Sequence, residues 1–181
     1  MKDKMKVGSE VKNKQSVILG TALGIVFILV GIEALQLLVA TLGGAEYAAL
    51  KFNNFYFMAD ISYMEGSSRV MSAFTFIFPL LLALFLIEIS TRVISMSKPG
   101  SVRYTSIIFQ LFIVGYSLSK IFYSAFLMVL APEYNTDWNN FLNYGEIFGV
   151  VRYLTTLIVL IMVVGYLGNT TARIKKYIDV R

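Results

Sequence analysis

The 181-residue chain contains no histidine and no cysteine. Without imidazole there is no side chain whose ordinary proton equilibrium lies near neutrality, so His-assisted acid–base chemistry and imidazole-ligated haem are excluded. Without thiols there are no disulfides, iron–sulfur clusters or thiol nucleophiles. Glycine-rich phosphate loops are missing too, because "TLGG" and "GYLG" are too short and wrongly placed. A serine or threonine nucleophile would need another base. Lys120 beside Ser117 or Ser124 is a candidate, but hydrogen bonding between helices explains that polar stripe more simply. The expectation from these absences is a chain without enzymatic chemistry, cofactor or metal.

What the chain has in abundance is apolar residues, 57% of the total, with a mean hydropathy of +0.69. A soluble domain averages about 45–50%. It has no need of uninterrupted apolar runs of about 20 residues, the length that a bilayer core of about 30 Å requires. Four runs reach that length, at about 16–42, 70–94, 106–131 and 146–167. The first is far longer than a signal-peptide core of roughly 7–15 residues and reads as a retained span. In lipid each segment must satisfy its own backbone groups, which at these lengths means helix. The expectation is an all-α, single-domain, four-helix transmembrane bundle.

Charge placement sets the expected orientation. Basic residues gather in the N-terminal arm (Lys2, Lys4, Lys6, Lys12, Lys14), around the second loop (Arg92, Lys98, Arg103) and in the tail (Arg173, Lys175, Lys176, Arg181). The third loop has Glu133 and Asp137 with no basic residue, and the first sets Lys51 and Arg69 against Glu46, Asp60 and Glu65. By the positive-inside rule both termini are cytoplasmic, as in the plasma membrane of a bacterium or archaeon. The net charge of +5 then reflects topology and contact with anionic lipid rather than nucleic acid. Trp138 and Tyr104, Tyr134, Tyr144 and Tyr177, near the span ends, suit an interfacial aromatic belt. The first loop, "AALKFNNFYFMADISYM", is aromatic, partly alternating and free of Pro and Gly. It reads either as a short interfacial hairpin turning at Asn53–Asn54 or as an irregular loop held down by its aromatics.

Ionisable residues within a span are costly in hydrocarbon and normally face protein or water. At 100° per residue, Glu33, Gln36 and Ala40 share one face of the first span and Gly20, Gly24 and Gly31 the opposite one, with "GTALG" as a small-xxx-small contact. Gln110, Ser117, Lys120 and Ser124 form a stripe on the third span, flanked by Tyr116 and Tyr123. On the fourth, Gly145, Gly149, Arg152 and Thr156 lie together. With a rise of ~1.5 Å per residue, Glu33, Lys120 and Arg152 all fall roughly 20–25 Å from the inner helix ends. The simpler reading is a buried ion pair that specifies helix packing; the other is a polar pocket for an ion, proton or small solute. Glu88 lies nearer the inner surface, with Arg92 one turn on, as a snorkelling interfacial pair. Pro79 in "FIFPLLLALF" predicts a kink in the second helix.

The frame Ile32–Glu33–Ala34–Leu35–Gln36, followed by "LLVATLGG", resembles the first helix of site-2-protease-type intramembrane zinc metalloproteases. That family has H-E-x-x-H there, ahead of aliphatic and small residues. The glutamate matches; both zinc-binding positions do not. "ALKFNNFYFMADISYM" is similar to the family's short membrane-associated sheet, and Phe78–Pro79 to the Gly-Pro near its next helix. Asp137 in "NTDW" resembles the third ligand region. The resemblance implies a scaffold that has lost its metal, because the usual zinc site with its activated water cannot be built without His or Cys. Glu33, matching the family's general base, then needs another partner, for which Lys120 and Arg152 are the candidates.

The expected function is association with other membrane proteins or with a second copy, as a subunit, scaffold or pseudoprotease-like binder. The alternative is a small transporter or channel component built on Glu33, Gln36, Lys120 and Arg152.

Overall fold

The computed structural model describes residues 2–53, 56–98, 100–130 and 136–179, with side chains over 14–52, 57–98, 100–130 and 136–176. Asn54, Ala131, Glu133, Tyr134 and Arg181 lie outside the described residues, as do the side chains of Lys2, Lys4, Lys6, Lys12, Asn53 and Tyr177.

Each long apolar run forms a helix. The first comprises α1 (Lys2–Val26), a five-residue π-turn (Phe27–Gly31) and α2 (Ile32–Leu42). It is followed by α3 (Arg69–Met96), α4 (Ser101–Leu130) and, after a short α5 (Asp137–Tyr144), by α6 (Gly149–Asp179). Four stretches, Lys14–Leu42, Arg69–Met96, Ser101–Leu130 and Gly149–Lys176, are long and apolar enough to cross a membrane. The last begins later than its apolar run. Glu146 and Gly149 take φ values of 54° and 58°, a left-handed conformation that interrupts a right-handed helix.

Helix α1 runs along α4, α3 packs between α4 and α5, and α6 lies more loosely against α3 and α4. The α1–α4 approach depends on two missing side chains. A Cβ on Gly20 would stand 2.8 Å from the Thr105 carbonyl oxygen, and one on Gly24 2.8 Å from Phe112 Cβ. The other three expected packing glycines do different work. A Cβ on Gly31 would strike the ring of its own Phe27. Gly145 closes α5 by donating to Phe141 O at 2.9 Å, and Gly149 begins α6 in a conformation that favours glycine. Between the helices the core is aliphatic, with Ile32, Ala83, Ile87, Ile113, Ile121 and Leu142 buried.

The first loop is a hairpin. Strands β1 (Tyr47–Asn53) and β2 (Tyr56–Ser62) pair antiparallel from Tyr47↔Ser62 to Asn53↔Tyr56, so Asn53 ends the ladder beside the connection, where Asn54 lies outside the described residues. Alternation sorts its side chains. Lys51 pairs with Asp60 and lies over the Tyr47 ring on one face, and on the other the Phe52 and Phe57 rings meet 5.1 Å apart. The third loop also contains structure that its polarity conceals, namely α5. Trp138 is 4% exposed and donates to Thr156 Oγ1 at 2.8 Å. Tyr144 stacks on Phe76 at 5.4 Å. Both serve tertiary packing, and for Trp138, which is buried, the aromatic-belt expectation is corrected.

Candidate functional site

The polar junction begins with the π-turn. Ile32 N–H donates to Phe27 O, five residues back. In a straight α-helix Gly24 and Glu33 face opposite ways. The extra residue of a π-turn removes about 100° of that separation, and both residues reach α4: Gly24 at Phe112 and Glu33 at Lys120. The opposite-face expectation is corrected accordingly.

A proline supplies the next element. Pro79 has no N–H to return to the carbonyl four residues earlier, which is that of Thr75. Gln36 Nε2 donates to this carbonyl at 3.3 Å and to Asp137 Oδ1 at 3.1 Å. A membrane-type helix leaves such an orphan to a neighbour's side chain, and Gln36, fully buried, takes that role. The Thr75 hydroxyl meets Tyr63 OH at 2.6 Å, beside the hairpin.

Lys120 stands at the centre. Its Nζ lies 3.1 Å from Asp137 Oδ2 and 3.4 Å from Glu33 Oε1. Glu33 Oε2 accepts the Ala59 N–H at 2.9 Å, satisfying one of the donors that an edge strand leaves unpaired. One junction thus ties α2, α3, α4, α5 and β2 together. Side-chain exposure is 7% for Glu33, 23% for Asp137 and 36% for Lys120, so the pairs lie at the edge of the core.

Of the expected cluster, Glu33, Gln36 and Lys120 come together and Arg152 does not. Its guanidinium donates to Asn143 Oδ1 and Asn139 Oδ1, each at 3.0 Å, because α5 presents these two amides one turn apart. Asp137 takes the place expected for Arg152's level, with the opposite charge. It could have been found from the sequence: Thr136 is an N-cap residue, Asp137 suits a first turn, and Trp138, Phe141 and Leu142 have helical spacing. The Thr136 hydroxyl does accept the Asn139 N–H, at 3.1 Å.

A cleft of about 610 Å³ opens at the junction, with Glu33, Lys120, Asp137, Tyr116, Tyr123 and Phe57 among its lining. Tyr116 is buried with its ring 5.5 Å from Lys120 Nζ, and neither its hydroxyl nor Gln36 Oε1 makes a close hydrogen bond among the described residues. Outside the helices, the hydrogen bond and charge of Asp60 raise the Lys51 pKa, and burial raises that of Tyr63.

At the opposite end, Glu88 has more partners than the expected Arg92. Arg92 Nε lies 3.8 Å away, Arg173 Nη2 3.3 Å and Tyr166 OH 3.2 Å. The pair is therefore a link between α3 and α6. Gln110, fully buried, makes the neighbouring link by donating to Ile87 O at 3.1 Å and Thr91 Oγ1 at 2.7 Å.

Among the described residues no group of three His, Cys, Asp or Glu side chains is placed to hold a metal. The donor set of the junction does not fit zinc, since an ammonium already bridges its two carboxylates. No family model matches the chain, and no curated protein or solved structure is significantly similar to it.

Proposed function

We propose that the chain is a four-span integral membrane protein, both termini cytoplasmic, in a bacterial or archaeal plasma membrane. It acts without enzymatic chemistry, by lateral association with another membrane protein or a second copy. The observation that carries this reading is α6. Val150, Leu154, Ile158, Ile161 and Met162 are each more than half exposed along it, an apolar face suited to lipid or to another apolar helix. The polar groups of the junction meanwhile bind one another, which suits a scaffold better than a catalyst.

Photo-crosslinkers at Leu154 and Ile161 test this reading in native membranes. A discrete protein adduct or a crosslinked dimer is expected at these sites; adducts with lipid alone would remove the association reading. Orientation has its own test, because the chain has no cysteine of its own. An impermeant maleimide on intact cells should label Lys51→Cys and spare Lys98→Cys, and the reverse would invert the topology.

A second reading, a small transporter or channel component, is favoured by the cleft at Lys120. A site-2-protease-type scaffold that has lost its metal is part of the same proposal, and in it Gln36 would stand where that family has its second zinc-binding histidine.

A further inference from the structure

The charges at the junction do not balance. Glu33 and Asp137 bring two carboxylates against the single ammonium of Lys120, leaving one negative charge in excess. The other nearby cation, Arg152, is held by Asn139 and Asn143 on α5 and does not line the cleft. The Ala59 N–H and Gln36 Nε2 donate to these carboxylates but carry no full charge, so a site at the edge of an apolar core still favours a second cation.

The cleft describes what form that charge takes. Its volume of about 610 Å³ is that of a site for an organic molecule, far more than a bare inorganic ion fills. Its walls are apolar and aromatic, with Ile28, Leu29, Phe57 and Tyr123 around the carboxylates. Aromatic faces attract cations. The second observation is Tyr116, which is 8% exposed and lines the cleft. Its ring lies under the Lys120 ammonium, 5.5 Å from Nζ to the centroid, and its hydroxyl makes no close hydrogen bond among the described residues, so it is free to turn toward a bound molecule.

We propose that this cleft binds a lipophilic organic monocation, an onium head on apolar substituents. A lipid amine headgroup and a free amphiphilic amine share this chemistry. The inference rests on the cleft that favours the transporter reading, but it concerns binding alone. Saturable binding without flux would dismiss transport and leave the site standing.

The test is equilibrium dialysis of the full chain in nanodiscs of phosphatidylglycerol, a lipid without an ammonium group, against radiolabelled tetraphenylphosphonium, with tetraphenylborate as the anion of the same shape and empty discs subtracted. One saturable phosphonium site per chain is expected, with borate uptake no greater than in empty discs. Tyr123 is 55% exposed, so Tyr123→Lys adds a positive charge to the cleft without disturbing the core. It should weaken phosphonium binding at least tenfold, while Tyr123→Phe retains it. Glu33→Gln should weaken it similarly in whatever fraction folds. Phosphatidylethanolamine in the disc distinguishes the sources: competition identifies the lipid headgroup, and its absence a free amine, each in support. Equal uptake of the two ions, no saturable site, or phosphonium binding unchanged in Tyr123→Lys would overturn the proposal. Absence of a saturable site would assign the excess charge to a proton or a small inorganic ion.

Discussion

At the level of Gly20 and Gly24 the first helix lies so close to α4 that a methyl group has no room. At the level of Glu33 the same two helices meet through a carboxylate and an ammonium 3.4 Å apart. One end of the bundle is held by close packing, and the other by a polar junction that also anchors the hairpin and α5. Packing tolerates no added atom but is indifferent to salt and charge. The junction is sensitive to every charge in it, because removing one member exposes the others. The π-turn at Phe27–Gly31 marks the change from one regime to the other.

Substitution at the junction should have the largest effect. Lys120→Met leaves Glu33 and Asp137 facing each other without a cation. A fully buried pair broken in this way costs about 3–5 kcal/mol, and partial exposure of Lys120 puts the expected cost near the lower limit, about 3 kcal/mol. Unfolding in mixed micelles should show that loss. Adding Glu33→Gln should recover only part of it, because Asp137 remains; complete recovery would reduce the junction to a simple pair.

Gly24→Leu should cost about 2 kcal/mol by overpacking against Phe112, with the same midpoint shift at low and high salt. A salt-dependent loss would mean that this end is not governed by packing.

Gln36→Leu leaves the Thr75 carbonyl without its donor, at about 1–2 kcal/mol. In a Pro79→Ala background residue 79 regains an N–H and can take that carbonyl, so the penalty should shrink in the double-mutant cycle. Strict additivity would separate Gln36 from the proline.

Arg173→Gln should have the smallest effect, about 0.5 kcal/mol and diminishing with salt, since the Glu88 carboxylate it leaves is more than a third exposed whereas the Glu33 left by Lys120→Met is 7% exposed. A loss as large as that of Lys120→Met would erase the contrast between the two ends.

How much of this was legible beforehand depended on whether the signal was local. The buried stripe Gln110–Ser117–Ser124 followed from helical periodicity, as did the buried face Glu33–Gln36–Ala40. The glycine contact of Gly20 and Gly24 followed from its spacing. Arg152 departs from the expected cluster because a depth estimate fixes the height of a residue and not its direction, and α5 holds its guanidinium. In the sequence Asp137 stands only as a charge of the third loop and as a resemblance to a ligand region, because its partner, Lys120, is defined only after α5 folds back onto the bundle. Pro79 signalled an unpaired carbonyl, but which side chain would meet it required the packed structure.

The sequence by itself determined four apolar helices and the exclusion of thiol and imidazole chemistry, because hydropathy and composition act locally, and it left the first loop open between a hairpin and an irregular segment. The tertiary structure alone decided that Lys120 serves two carboxylates, that Gln36 caps the gap left by Pro79, and that Trp138 turns inward. Those outcomes depend on helix rotation and on where α5 docks. A single π-turn changes rotation by about 100° without altering the hydrophobic pattern, so the residues that meet at the junction are set by packing.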